Sequence, residues 1–226
     1  MTGEVLNFPD ILELPVFPLP NVVFFPRTVL PLHIFEPRYK QMVSDALEGD
    51  RQIGLALLQP GWESKYYGSP DVFTTGGMGL ITEHKELEAG KYDILLQGRH
   101  RYEIIDFIRQ KPYRVARVQL LKDVIPSSQE VSEIATELIL LFRELTEEIT
   151  SPGLNLDVLE KLDFPSLVNS ICSSLNLSVY DKQQLLEMDR LKVRAETALA
   201  ILRQQVKGKR FVSGFRHLKP EDPSVN

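Results

Sequence analysis

Cysteine is almost absent from this 226-residue chain. Cys172 stands alone, so no internal disulfide can form and no thiolate cage can hold zinc. That scarcity points to a reducing compartment, and the cytoplasm is the expected location. Histidine is scarce too: His33, His84, His100 and His217 lie far apart, with no His-x-x-x-His or His-Glu-x-x-His spacing. No metal site and no cofactor is therefore expected. No apolar run reaches the roughly 18 residues that a membrane-spanning helix requires. The opening Met1-Thr2-Gly3-Glu4 carries no basic stretch, and Pro9, Pro15, Pro18 and Pro20 interrupt the first apolar segment, so no signal peptide is expected.

Catalytic motifs are missing as well. Gly90-Lys91 and Gly208-Lys209 lack the glycine spacing and the following Ser or Thr of a phosphate-binding P-loop. Gly76, Gly77 and Gly79 precede Leu80-Ile81-Thr82, which reads as a strand, whereas a dinucleotide fingerprint must open a helix. A bulge or bend in a strongly coiled sheet accounts for those glycines. There is no Gly-x-Ser-x-Gly elbow, and Cys172 lies on an apolar helical face, as a buried structural thiol would. No enzyme activity is expected.

What is present is an ordinary globular composition, 43% hydrophobic and 25% charged, with length enough for one large core or two small ones. The net charge of −5 is unevenly spread. Residues 1–123 hold 14 basic and 16 acidic side chains, residues 124–206 hold 7 and 13, and residues 207–226 hold 5 and 2. These shifts coincide with a change of hydrophobic period. Up to about residue 123 the pattern is of short runs of β-branched and aromatic residues punctuated by Pro and Gly, which predicts strands over 13–18, 29–34, 53–58, 79–88, 92–97, 101–109 and 113–122. Residues 79–97 read as a hairpin through Leu87-Glu88-Ala89-Gly90-Lys91, and Gly98 as the next sharp turn. One helix interrupts the strands: Pro37 suits its first position, Tyr39, Met42, Val43, Ala46 and Leu47 follow at helical spacing, and Gly49 stops it.

After Pro126 the period becomes helical. Ser127 and Glu130 have capping-box spacing and open a helix to about Ile149, broken by Ser151-Pro152-Gly153. Helices are predicted over 154–162, 165–175 and 181–206, the last divisible in two. Their acidic faces are the solvated side of a small bundle. The fold class expected is α+β, with a β domain over 11–123, a helical bundle over 124–206 and a basic tail over 207–226. The tail's Lys207, Lys209, Arg210, Arg216 and Lys219, with Phe211 and Phe215, read either as a docking segment or as a frayed helix end.

Three groups of residues are candidates for binding. The loop over 59–71 carries Trp62, Tyr66 and Tyr67, amphipathic side chains of the kind that dominate binding surfaces; the same residues could fold back as a local core. Phe24 and Phe25 are adjacent, so in a strand they face opposite ways, one into a core and the other outward or into a second core layer. Residues 93–122 hold seven basic against three acidic side chains. There Arg99, His100, Arg101, Arg114 and Arg117, with Tyr102 and Tyr113 interleaved, make RNA the alternative partner.

The run Leu14-Pro15-Val16-Phe17-Pro18-Leu19, then Val22-Val23-Phe24-Phe25-Pro26, then Leu30-Pro31-Leu32-His33-Ile34-Phe35-Glu36-Pro37-Arg38-Tyr39, closely resembles the amino-terminal substrate-binding domain of Lon proteases. The resemblance continues through Ile53 to Leu58, Gly79-Leu80-Ile81, Leu96-Gln97-Gly98 with Arg101, Pro112-Tyr113, Asp163-Phe164-Pro165 and Asp181 to Leu186. It covers about residues 11–206. It implies a PUA-like β pseudobarrel followed by a helical bundle, and recognition of unfolded or damaged polypeptide, with a protease or chaperone as a further partner. It implies no catalysis within these residues, because in Lon the ATPase and the serine-lysine peptidase follow the matched region.

Overall fold

The computed structural model describes residues 10–65, 68–110, 112–146 and 156–215. Six strands form one sheet: β1 (Ile11–Leu19), β2 (Val29–Ile34), β3 (Gln52–Leu57), β4 (Thr75–Leu87), β5 (Lys91–Arg109) and β6 (Arg114–Leu121). Their order is β2-β5-β4-β3-β1-β6, and β6 also pairs with β5, so five strands close into a ring and β2 hangs from β5 as a flap. Helix α1 (Pro37–Glu48) crosses between β2 and β3, which lets β3 run parallel to β1. Helices α2 (Ser128–Thr146), α3 (Phe164–Ser174), α4 (Val179–Glu187) and α5 (Leu191–Phe215) form the bundle.

Strand β1 tolerates two prolines because of how it is paired. Its first half, Ile11–Val16, pairs with β6 and its second half, Val16–Leu19, with β3, the two overlapping only at Val16. Pro15 and Pro18 each have a side without ladder partners, so the missing N–H there removes no hydrogen bond. Leu14 and Val16 enter one barrel cluster with Met78, Tyr102 and Val118, while Phe17 enters a second that packs Tyr39, Met42 and Val43 of α1 onto the sheet.

The two strands predicted on either side of Gly98 are one bent strand. β5 runs unbroken, its first half between β2 and β4 and its second between β4 and β6, with a shifted register at Met78/Gly79 against it. Gly98 is there for a crossing rather than a turn: a Cβ on it would lie 2.3 Å from the carbonyl oxygen of Phe25, and one on Gly77 would lie 1.9 Å from that of Phe24. The segment 22–28 thus lies directly on the backbones of β4 and β5, held by Arg27 N–H donating to Gly98 O (2.9 Å) and Gly98 N–H donating to Thr28 O (2.8 Å). The expected hairpin 79–97 does turn at Leu87–Lys91, with Ala89 and Gly90 both at positive φ.

In the bundle, the segment predicted over 154–162 is a short 3-10 turn at Leu156–Lys161, and the last segment is two helices divided at 188–190. The division receives the chain leaving the barrel: Val124 N–H donates to Asp189 O (3.0 Å) and Leu191 N–H to Val124 O (3.1 Å). α5 continues past 206 to Phe215. Of the basic residues expected in a tail, Lys207, Lys209 and Arg210 are therefore helical, and Lys209 and Arg210 bond to Glu144 of α2. Of the capping box, Glu130 is a side chain outside the described residues, as are residues 147–155 and 216–226. Among the described residues no helix is long and apolar enough to cross a membrane.

Candidate functional site

A groove of about 370 Å³ lies at one end of the barrel. Its floor is the end of β1 with the following turn (Phe17, Pro18, Leu19, Pro20, Asn21), and its opposite wall is the β2–α1 junction (Leu32, His33, Phe35, Glu36, Arg38, Tyr39). Leu58 and Pro70, at the two ends of the long loop, close it together with Arg114. Sequence explains the junction. Glu36, in extended conformation, precedes Pro37 at the first helical position, and this abrupt change from period 2 to period 3.6 leaves Phe35 facing neither core. Phe35 is 61% exposed.

Polar groups at the groove are held in fixed positions. Arg38 pairs with Glu36 at 3.0 Å and lies over the Tyr39 ring, 4.5 Å from its centroid. Tyr39 in turn packs on Phe17 with centroids 4.2 Å apart. His33 Nδ1 is 2.6 Å from Asp93 Oδ1, and the His33 ring stacks beside Phe35. Arg114 is buried, donates to Pro70 O (2.8 Å), and is pulled below the usual arginine range by burial. Among the described residues β2 pairs only with β5, which leaves its other edge open beside the groove, and Pro31 in it blunts that edge against indiscriminate pairing. An apolar floor rich in proline, a fixed ion pair and an open strand edge suit an extended apolar segment. Among the described residues no serine or cysteine lines the groove for His33 to activate.

The residues singled out in the sequence are dispersed. Trp62 stands on the 3-10 turn Trp62–Lys65 and packs, partly buried, against the barrel cluster that holds Tyr102; Tyr66 and Tyr67 lie outside the described residues. Phe24 and Phe25 both enter a core, the second-core-layer alternative, so neither is a surface contact. They sit in irregular backbone, not a strand, and are 3% and 0% exposed, Phe24 in the α1-facing barrel core and Phe25 in the bundle core. Of the basic set, Arg101 is also corrected. It is 1% exposed and bonded to Asp123 (2.8 Å), to Asp189 and to Leu186 O (3.1 Å). Arg114 is buried beneath the groove, and Arg117 is paired twice with Asp106 (2.8 and 3.0 Å). Arg99, His100 and Arg101 line one surface pocket, which neither Arg114 nor Arg117 lines. The five do not form one basic face.

Cys172 is fully buried and its thiol is pushed up to about 12 by burial, the opposite of what a nucleophile requires. Among the described residues no three His, Cys, Asp or Glu side chains are grouped to hold a metal ion. Phe35, His33 and the Pro18–Asn21 turn escaped the sequence reading. The usable signal was an aromatic residue between a strand's last core position and a helix-starting proline.

Residues 13–204 match the model of the ATP-dependent protease La (LON) substrate-binding domain. The chain belongs to this Lon substrate-binding family. It is 28% identical over 205 residues to Lon protease of Anaeromyxobacter dehalogenans, covering 89% of this chain and 24% of that protein. It is 31% identical over 201 residues to Lon protease of Roseiflexus castenholzii, covering 87% and 25%. The chain thus spans about a quarter of the length of such Lon relatives, and what it matches is their substrate-binding part. The N-terminal domain of Mycobacterium avium complex Lon protease superposes with a TM-score of 0.66 at 16% identity, covering 87% of this chain and 98% of that one. A Lon N-terminal domain protein from Xanthomonas campestris gives 0.60 at 23% identity, covering 84% and 98%. At these identities the structural likeness is one of fold, and the α+β barrel and bundle is the Lon N-terminal fold.

Proposed function

We propose that this Lon-type module binds exposed apolar segments of unfolded or damaged polypeptides, without itself catalysing a reaction, and serves in the cytoplasm as an adaptor or regulator that presents them to a protease or chaperone. The observation that carries the reading is the barrel-end groove. Its floor of Phe17, Pro18, Leu19 and Pro20 and the exposed Phe35 at its mouth give an extended chain both apolar contacts and an open strand edge. The loop that begins and ends at the groove, with Trp62, Tyr66 and Tyr67, supplies further contacts.

Replacing Phe35 by Ser tests this. Covering a Phe side chain is worth about 1.5–3 kcal/mol, so affinity for a reduced, carboxymethylated unfolded protein is expected to fall about 10- to 100-fold. The melting temperature should hold, because Phe35 packs in neither core. Binding should also be flat or slightly stronger as salt rises, as apolar contacts are, whereas phosphate contacts weaken steeply. Unchanged affinity in the Phe35→Ser variant would remove the groove from the account.

A further inference from the structure

A second, smaller pocket of about 210 Å³ opens where the barrel meets the bundle. Pro26 and Arg27 form one side, Arg99 and His100 of β5 the second, Lys122 the third, and Pro165 at the start of α3 the fourth. Arg101 and Asp123 form its floor.

The charges around it match up one by one, with a remainder. Arg27 is bonded to Asp163, and Lys122 lies 3.1 Å from Asp10. Arg101 and the buried Arg194 share Asp123, and Arg101 also reaches Asp189. Each of these acids is thereby engaged, and among the described residues Arg99 is left over. Its Nε is buried and has no hydrogen-bond partner among the described residues. A buried guanidinium nitrogen without an acceptor is costly to the fold, and a planar fork of donors matches the oxygens of a carboxylate or phosphate.

We propose that this joint pocket binds a small oxyanion, a phosphate or carboxylate group, with Arg99 and His100 as its principal donors. Its volume is below the roughly 300–1,000 Å³ of sites for drug-sized ligands, so it admits the charged group and little more. His100 reports on occupancy. Burial first, then the neighbouring Arg99 and Arg27, hold its imidazole below the usual histidine range, with Asp123 opposing them. An anion placed among these groups favours the imidazolium. Binding therefore strengthens as pH falls through the His100 midpoint, and occupancy moves that midpoint upward.

The test is a proton NMR pH titration of the histidine ring signals, with His100 assigned by His100→Gln. It is run at constant ionic strength in sodium chloride alone, with inorganic phosphate, and with acetate. The midpoint of His100 is expected to rise by about 1 pH unit in at least one of the two anions. Arg99→Gln should abolish the response, and Arg99→Lys, which keeps the charge and loses the fork, should retain a weakened one. A larger response to phosphate assigns the site to a phosphoryl group, and a larger one to acetate assigns it to a carboxylate. If neither anion moves His100 beyond chloride, or if Arg99→Gln responds as the wild type does, the pocket is not an oxyanion site. The wild-type titration decides the first point whether or not the variants fold.

Discussion

Replacing Asp123 by Ala is expected to destabilise the protein by about 3 kcal/mol or more. Asp123 lies between two arginines that the fold removes almost wholly from water, Arg101 at 1% and Arg194 at 0% exposure. It accepts from Arg101 Nε at 2.8 Å and from Arg194 at 2.9 and 3.4 Å. Arg194 also donates from its two terminal nitrogens to Asn169 Oδ1 (2.7 Å) and Met188 O (2.5 Å), and Arg101 donates to Leu186 O. One carboxylate on the short connection after β6 thus joins β5, α3, α5 and the α4–α5 break. Removing it leaves two buried cations, with the 70%-exposed Asp189 as the only other carboxylate on Arg101 among the described residues. Asp123→Asn, which keeps an acceptor and loses the charge, should cost less. Asp189→Ala should cost under about 1 kcal/mol, as solvent-screened pairs do. Urea denaturation followed by far-UV circular dichroism measures all three, and equal effects of Asp123→Ala and Asp189→Ala would contradict this assignment.

Phe25→Ala should be of similar size, about 3–5 kcal/mol. Among the described residues Phe25 is the single fully buried side chain that the barrel half of the sequence contributes to the bundle core, where it packs among residues such as Leu138, Val168, Ile171 and Leu199. Truncating it opens a cavity at the joint between the two layers, and the backbone beneath cannot move to fill it, because that segment already lies against Gly77 and Gly98. For a chain of this length the change corresponds to a fall in melting temperature on the order of 10 °C. Phe35→Ser, ten residues away, should leave the melting temperature unchanged, and calorimetry on the pair separates a core aromatic from a surface one. Similar melting temperatures for the two variants would contradict the division between core and groove.

That contrast shows where the sequence was legible. Period and punctuation located β2, α1 and the β4–β5 turn, because there one local signal acts alone: Pro37 and Gly49 bracket α1, and Gly90 supplies a positive φ. Phe24 and Phe25 were placed on opposite faces, yet their destinations depend on which layers flank an irregular segment, and that is a property of the whole fold. Gly98 read as a turn because a glycine that frees the backbone and a glycine that makes room for another chain look the same in one dimension. Arg101 read as surface charge because its partners, Asp123 and Asp189, lie 22 and 88 residues away. The groove was the least visible feature, since it is assembled from β1, β2, α1, β6 and both ends of a loop, and only Phe35 breaks the local pattern.

The central claim, that the barrel-end groove receives unfolded polypeptide, is tested most directly by hydrogen–deuterium exchange of the full chain with and without a saturating reduced, carboxymethylated unfolded protein. Backbone protection is expected to increase over 17–21 and 32–39 and around Leu58 and Pro70, with the open edge of β2 among the most protected amides. Protection confined to 99–123, or absent from the groove while the polypeptide remains bound, would contradict it.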